Sequence, residues 1–258
     1  MSWSRFIPSM APIMRMNIEA QQLLLLLNWM SPAFPTGAFA YSHGLEWAIY
    51  ERSVNGADDV EIWIGDLITR GSGWNDAVLF ARCYEDDIAE LNELALALAT
   101  SKERHLETTQ LGRAFRIAAA IFLPSPLAGE GGRRPDEGLV PQVPSPAALR
   151  HPLPLGEREV IAYPVAVGMA CAAMGIDKSH AVLAYLQGFC AALTSVAVRL
   201  VPIGQTAGLE VLRDLMPVIA ATAERAATAG LDDLGAITIS ADIAAMKHET
   251  QFSRVFRT

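Results

Sequence analysis

Cysteine is scarce in this chain: Cys83, Cys171 and Cys190 are the only three in 258 residues, far apart and each in an apolar context. An odd, dispersed set without a CxxC pair excludes a disulfide framework and a thiolate zinc site, and reads as reduced core thiols of a cytoplasmic protein. Charge is also sparse, at 19% of residues, and the basic share is the smaller, 20 Lys and Arg against 28 Asp and Glu. A net charge of -8 disfavours nucleic acid or an anionic membrane as partner, and no basic stripe works against it. Strand patterning is confined to Ile237-Thr238-Ile239, too short to found a sheet. Long hydrophobic runs are broken wherever they begin. Leu23 to Leu27, followed by Ala38-Phe39-Ala40, imitates a signal peptide, but Glu19, Gln21, Gln22 and Asn28 with the prolines beyond it interrupt the pattern. Ala181 to Val198 carries no charge and approaches spanning length, yet Gln187, Gly188, Thr194 and Ser195 mark it as a buried helix.

Catalytic and cofactor signatures are missing too. No GxxxxGK[ST] occurs, and Gly71-Ser72-Gly73 is not followed by Lys, so a P-loop hydrolase is excluded. His248-Glu249-Thr250-Gln251-Phe252 opens like HExxH but places Phe252 where the second zinc ligand must stand. His43, His105, His151, His180 and His248 show no ligand spacing. The sequence therefore assigns no catalytic residue, no cofactor and no metal site. Ala40-Tyr41-Ser42-His43-Gly44 departs from the GxSxG nucleophile elbow only at its first residue, which leaves a serine hydrolase using Ser42 as one alternative; the alternating αβ pattern which that elbow needs is missing. A helical membrane-associated protein using Ala181 to Val198 is the other.

What is present is helix. Hydrophobic residues make up 52% of the chain, ample for a large core. Ile88, Leu91, Leu94, Ala95 and Leu98 repeat at helical spacing. Asp58 or Asp59 is placed to cap a helix running to Arg70, Gly71 to stop it, Asn75 or Asp76 to start the next, and Ser101 to cap a helix carrying Leu111, Phe115, Ile117 and Ile121. Gly175 ends one helix and Asp177 caps another, in which Val182, Leu186, Phe189, Leu193, Val196 and Leu200 form a heptad-like seam. Its other side, Ala184, Gly188, Ala191, Ala192 and Ala197, is small and apolar, so this helix is expected at the centre of the fold. Pro202 ends it, Pro217 suits the first turn of another helix, and Gly230 closes that one. The expectation is an all-α, single-domain helical bundle with a central apolar helix and a long irregular insertion.

Two stretches fall outside the pattern. Residues 1–17 contain Pro8 and Pro12 and no clear periodicity; they read as a disordered N-terminal extension, with Met16 an alternative start. The helical domain, 18–258, is interrupted at 124–159 by a Pro/Gly-rich stretch without apolar periodicity, expected to be an exposed insertion.

Three strings carry a family resemblance. LLNWMSPAFPTGAFAYSHGLEWAI resembles the N-terminal signature of UreF-type urease accessory proteins through Pro35, Gly37, Phe39, Ser42, Gly44, Leu45 and Glu46. AVRLVPIGQTAGLEVL resembles the Arg-Leu-x-Pro-Leu-Gly-Gln stretch of that family through Arg199, Leu200, Pro202, Gly204 and Gln205. MKHETQFSRVFRT resembles its terminus through His248, Glu249, Gln251, Ser253, Arg254, Phe256 and Arg257. Ile203, Val255 and Thr258 are mild departures. The resemblance implies an all-α protein, usually a homodimer, without catalysis of its own. It implies a complex with the accessory protein UreD (UreH) that recruits the GTPase UreG, so that nickel passes to apo-urease, and a role in gating that GTPase.

On this basis His248, Glu249, Gln251, Ser253, Arg254, Phe256 and Arg257 are expected to bind UreD, and Gly37, Phe39, Ser42, Gly44, Glu46, Arg199, Gly204 and Gln205 to lie at a partner or dimer surface. Arg199 follows eighteen uncharged residues and needs a carboxylate, a carbonyl or a partner. Met246 to Thr258 is locally basic, with Phe252, Val255 and Phe256 uncovered by any following element. It is expected to be poorly ordered until UreD binds.

Overall fold

The computed structural model describes residues 18–123 and 160–257. The expected extension at 1–17 and insertion at 124–159 lie outside the described residues. Ten α-helices and no strand occur among those that are described, so the chain is all-α. In order they are α1 (Ile18–Trp29), α2 (Leu45–Tyr50), α3 (Ala57–Arg70), α4 (Ser72–Arg82), α5 (Ile88–Ala97), α6 (Lys102–Ala119), α7 (Tyr163–Ala173), α8 (Lys178–Leu200), α9 (Gly204–Thr228) and α10 (Ile239–His248).

The caps follow the polar residues that the sequence offers. The Ser101 side chain accepts from the Arg104 amide at the start of α6, Asp87 from the Ala89 and Glu90 amides at α5, and Asp177 from the His180 amide at α8. Each satisfies helix-end donors that have no intrahelical acceptor. Boundaries shift where a glycine replaces the expected cap. Gly56 caps α3, leaving Asp58 and Asp59 in its first turn, where their charge favours the positive helix end. Gly71 serves both the end of α3 and the start of α4, so α4 begins at Ser72 rather than at Asn75 or Asp76. Asn75 is freed for tertiary work: its amide donates to the Ala236 carbonyl and accepts from the Gly235 and Ala236 amides.

Pro217 does not begin a helix. It lies inside α9, 25 residues of continuous helix. Proline costs a backbone donor there, but Pro217 faces solvent while Leu215 and Ile219 beside it are buried, so water can serve the unpaired carbonyl and the core face stays intact. Ile237 and Ile239 form no strand; Ile239 opens α10.

Helix α8 is central. It touches α1, α2, α3, α4, α7 and α9, and its seam residues Val182, Leu186, Leu193 and Val196 are buried. By length and composition α8 could cross a membrane, yet half of its most apolar stretch is buried within this fold. Cys83, Cys171 and Cys190 are buried and unpaired, as their apolar contexts imply. Burial pushes the Cys190 thiol up to about 12, which makes it a poor nucleophile.

Candidate functional site

The three motif strings, with touching residues as much as 210 apart in sequence, converge on one end of the bundle. Gly37 has φ 78 and opens a 3-10 turn over Ala38–Ala40 that leaves Phe39 exposed. Gly44, φ 79, starts α2, and a Cβ there would stand 2.8 Å from the Ala245 nitrogen. Only glycine fits both the left-handed backbone and the close approach of α10.

That approach brings Glu46 of α2 under the C-terminal tail. Its carboxylate, buried, accepts from the Val255 and Phe256 amides at 2.7 and 2.9 Å and from His248 Nε2 at 3.1 Å. His248 is fully buried; its Nδ1 meets Glu103 of α6 at 2.7 Å, and Arg254 donates to the other Glu103 oxygen at 2.9 Å. The Arg257 amide donates to the Ala40 carbonyl, and Glu249 accepts from the Lys102 amide.

Arg199, at the end of α8, finds its partners within the chain: the Phe39 carbonyl at 3.3 Å, the Ser195 hydroxyl at 3.0 Å and the face of Phe256, 5.3 Å from the guanidinium carbon. A carbonyl is among the partners that an isolated cation requires, and its side chain remains exposed. Gly204 and Gln205 are exposed at the start of α9. They do not touch the clasp.

Here the structure corrects the sequence reading. The tail is not a loose segment awaiting a partner; it is folded back on α2 and α6 by buried hydrogen bonds. His248, Gln251 and Phe256 face inward, and Glu249 is half-buried. Phe252, Ser253, Arg254, Val255 and Arg257 are exposed. Nor do Arg254 and Arg257 share a helical face, because α10 stops at His248. Spacing within one segment could not reveal this, since the acceptors Glu46 and Glu103 lie far back in the sequence.

Behind the clasp lies a cavity of about 160 Å³ between α4, α6, α7, α8 and the loop after α1. The small side of α8, Gly188, Ala191 and Ala192, lines it instead of packing against another helix. Tyr163 and Tyr185, ring centroids 5.7 Å apart, form part of the wall. The interior is charged. Arg104 pairs with Glu107 at 2.6 Å, and Glu107 lies 3.5 Å from His43 Nδ1. Burial alone would raise the Glu107 carboxyl, but Arg104 and His43 outweigh it and hold the group at about 2. Burial, then Arg104, lowers His43 below its ordinary value. Burial raises Asp76 to about 6, only partly opposed by Arg104 and the Tyr185 hydroxyl. Sequence reasoning missed this group altogether. Polar residues on helical faces predicted to be core were the available signal.

His43 Nε2 also lies 2.5 Å from the Ser72 hydroxyl, so Ser72, His43 and Glu107 are ordered like a nucleophile relay. Yet the space beside Ser72 is about 20 Å³, room for a water and not for an acyl substrate, and Arg104 occupies Glu107. Ser42, the elbow candidate, is 0% exposed and stands in no strand-turn-helix setting. Among the described residues no group of three or more His, Cys, Asp or Glu could hold a metal ion.

Residues 54–216 match the family model described as UreF. The chain is 41% identical over 242 residues to the urease accessory protein UreF of Methylobacterium sp. (strain 4-46), covering 91% of this chain and 88% of that protein. It is 40% identical over 242 residues to the urease accessory protein UreF of Methylorubrum populi, covering 91% and 98%. To the protein of the same name from Brucella ovis it is 41% identical over 247 residues, covering 94% and 96%.

Proposed function

From the premise that this chain belongs to the UreF family, we propose that it serves urease maturation as a non-enzymatic adaptor. As a cytoplasmic homodimer it binds UreD (UreH), recruits the GTPase UreG, gates that GTPase, and holds the assembly on apo-urease while nickel is inserted. The observation that carries this reading is the 41% identity to a urease accessory protein across 91% of the chain. The geometry supports it in one respect. The clasped tail presents Phe252 and Val255, both strongly exposed, on either side of Arg254 in sequence, and Phe39 is exposed as well. Exposed apolar side chains beside a cation on a fixed backbone suit contact with another protein.

The partner surface in this reading is the outward half of the tail with Phe39 and Arg199. His248, Glu46 and Phe256 hold that surface in place from within. Co-expressed UreD and UreG from the same source are expected to co-purify with the chain, and Val255→Asp with Phe252→Asp to abolish capture while helicity stays unchanged. The isolated chain is expected neither to hydrolyse GTP nor to retain stoichiometric nickel. GTP hydrolysis that survives further purification would overturn the adaptor reading, as would failure to bind UreD where a related UreF protein binds it.

A further inference from the structure

The cavity beside α8 holds a charge that the fold leaves unbalanced. Asp76 lines it from α4. Among the described residues, the Tyr185 hydroxyl at 3.1 Å is the hydrogen-bonding partner of its carboxylate, and no Lys, Arg or His nitrogen forms an ion pair with it. Arg104, the interior cation, pairs with Glu107 at 2.6 Å and acts on Asp76 through space without pairing with it, only partly opposing the cost of its burial. His43 also faces Glu107. With these groups counted, the interior is one negative charge in excess whenever Asp76 is ionised. Arg199 is at the exposed mouth, held on Phe39 and Ser195.

The lining around that carboxylate is aromatic and small: Tyr163, Tyr185 and Phe189 contribute rings, and Gly188 with Ala192 leaves the space open. A carboxylate set among aromatic rings suits a cation with N–H donors and a short hydrocarbon body, since aromatic rings attract an alkylammonium and the carboxylate accepts its protons. A divalent metal would need more ligands than this single uncommitted carboxylate. We propose that the cavity is a binding site for a small aliphatic primary ammonium ion, its nitrogen on Asp76 and its carbons between Tyr163, Tyr185 and the small face of α8. Burial, which raises Asp76 to about 6, is then offset by the ligand's charge.

The test uses the whole chain at pH 7.5 with n-butylammonium chloride as probe, read by unfolding midpoint and by calorimetric titration. Saturable binding that raises the midpoint is expected, with no such shift from n-butanol or from sodium chloride at equal concentration. Asp76→Asn, which keeps shape and removes charge, is expected to weaken binding at least about tenfold, the size of one charge-assisted hydrogen bond. Ala192→Leu, which fills the cavity and leaves Asp76 intact, is expected to abolish it. Equal binding of n-butanol, equal affinity in Asp76→Asn, retained binding in Ala192→Leu, or no saturable binding would each overturn the proposal. So would a saturable midpoint shift given by nickel chloride and not by the amine. None of these results depends on whether UreD and UreG bind.

Discussion

Glu46 lies in α2 and Asp76 in α4, and the fold treats the two carboxylates in opposite ways. Glu46 receives two backbone amides and a histidine; Asp76 receives one tyrosine hydroxyl. A buried polar group costs free energy until its partners are supplied, so the first region is a finished structural joint and the second is an open one. The clasp fixes where the C-terminal tail lies. The cavity keeps a charge in reserve. Surface strings with a family likeness thus turn out to contain both contact residues and the buried scaffold that positions them.

The largest effect is expected where the joint is complete. Glu46→Ala would leave two amides and His248 without their acceptor, a loss of about 3–5 kcal/mol typical of breaking a buried charged network. Thermal unfolding should show a midpoint lower by roughly 10 °C for a domain of this size. Increased proteolysis within Gln251 to Arg257 is expected as well. A midpoint within experimental error of the parent protein would mean that the tail contributes no stability, and the contrast with Asp76 would collapse.

The next effect has the opposite sign and depends on pH. Asp76 titrates near 6 in the folded chain against 3.8 in a free carboxyl, so folding favours its protonated form. Its contribution to stability is therefore fully present below pH 3.8 and is lost as pH rises through about 6. Asp76→Asn should stabilise the chain at pH 8 by at most about 3 kcal/mol and leave it unchanged near pH 4. Glu107 runs the other way, since its folded value of about 2 lies below 4.5. Its contribution is present above 4.5 and is lost as pH falls through about 2, so Glu107→Gln should be destabilising at pH 7. Urea unfolding of both variants at pH 4 and pH 8 checks the two signs together; a destabilised Asp76→Asn at pH 8 would show that the carboxylate is balanced within the fold.

Much of the bundle was legible because helix caps and apolar seams are local. Ser101, Asp177 and the Val182–Leu200 seam depend on residues three or four positions away, and each took the place expected of it. Pro217 was misread because its tolerance depends on which side of α9 faces solvent, and local sequence does not state that. The clasp was legible as a set of family residues and illegible as geometry. His248 and Glu103 are 145 residues apart, and Glu46 is further still. The cavity was hidden for a related reason: Gly188, Ala191 and Ala192 look alike in sequence whether they admit a neighbouring helix or leave a space.

The smallest effect separates the two roles of the tail. Arg254 pairs with the buried Glu103 at 2.9 Å, but its own side chain is 40% exposed, so water screens the pair. Glu103 retains His248 when Arg254 is removed. Arg254→Ala should therefore cost about 1 kcal/mol or less and leave the tail in place. Partner capture is a different quantity. An exposed guanidinium held on a fixed backbone keeps donors free for a second acceptor, and a lysine at the same position reproduces the charge without the planar fork. If the tail surface is the partner site, Arg254→Ala should weaken UreD capture far more than it weakens folding, and Arg254→Lys should restore stability fully and capture only in part. Pull-down and thermal unfolding on the same preparations decide between the roles: capture that falls only in proportion to stability would assign Arg254 to the clasp, and unchanged capture would place the partner surface elsewhere on the bundle.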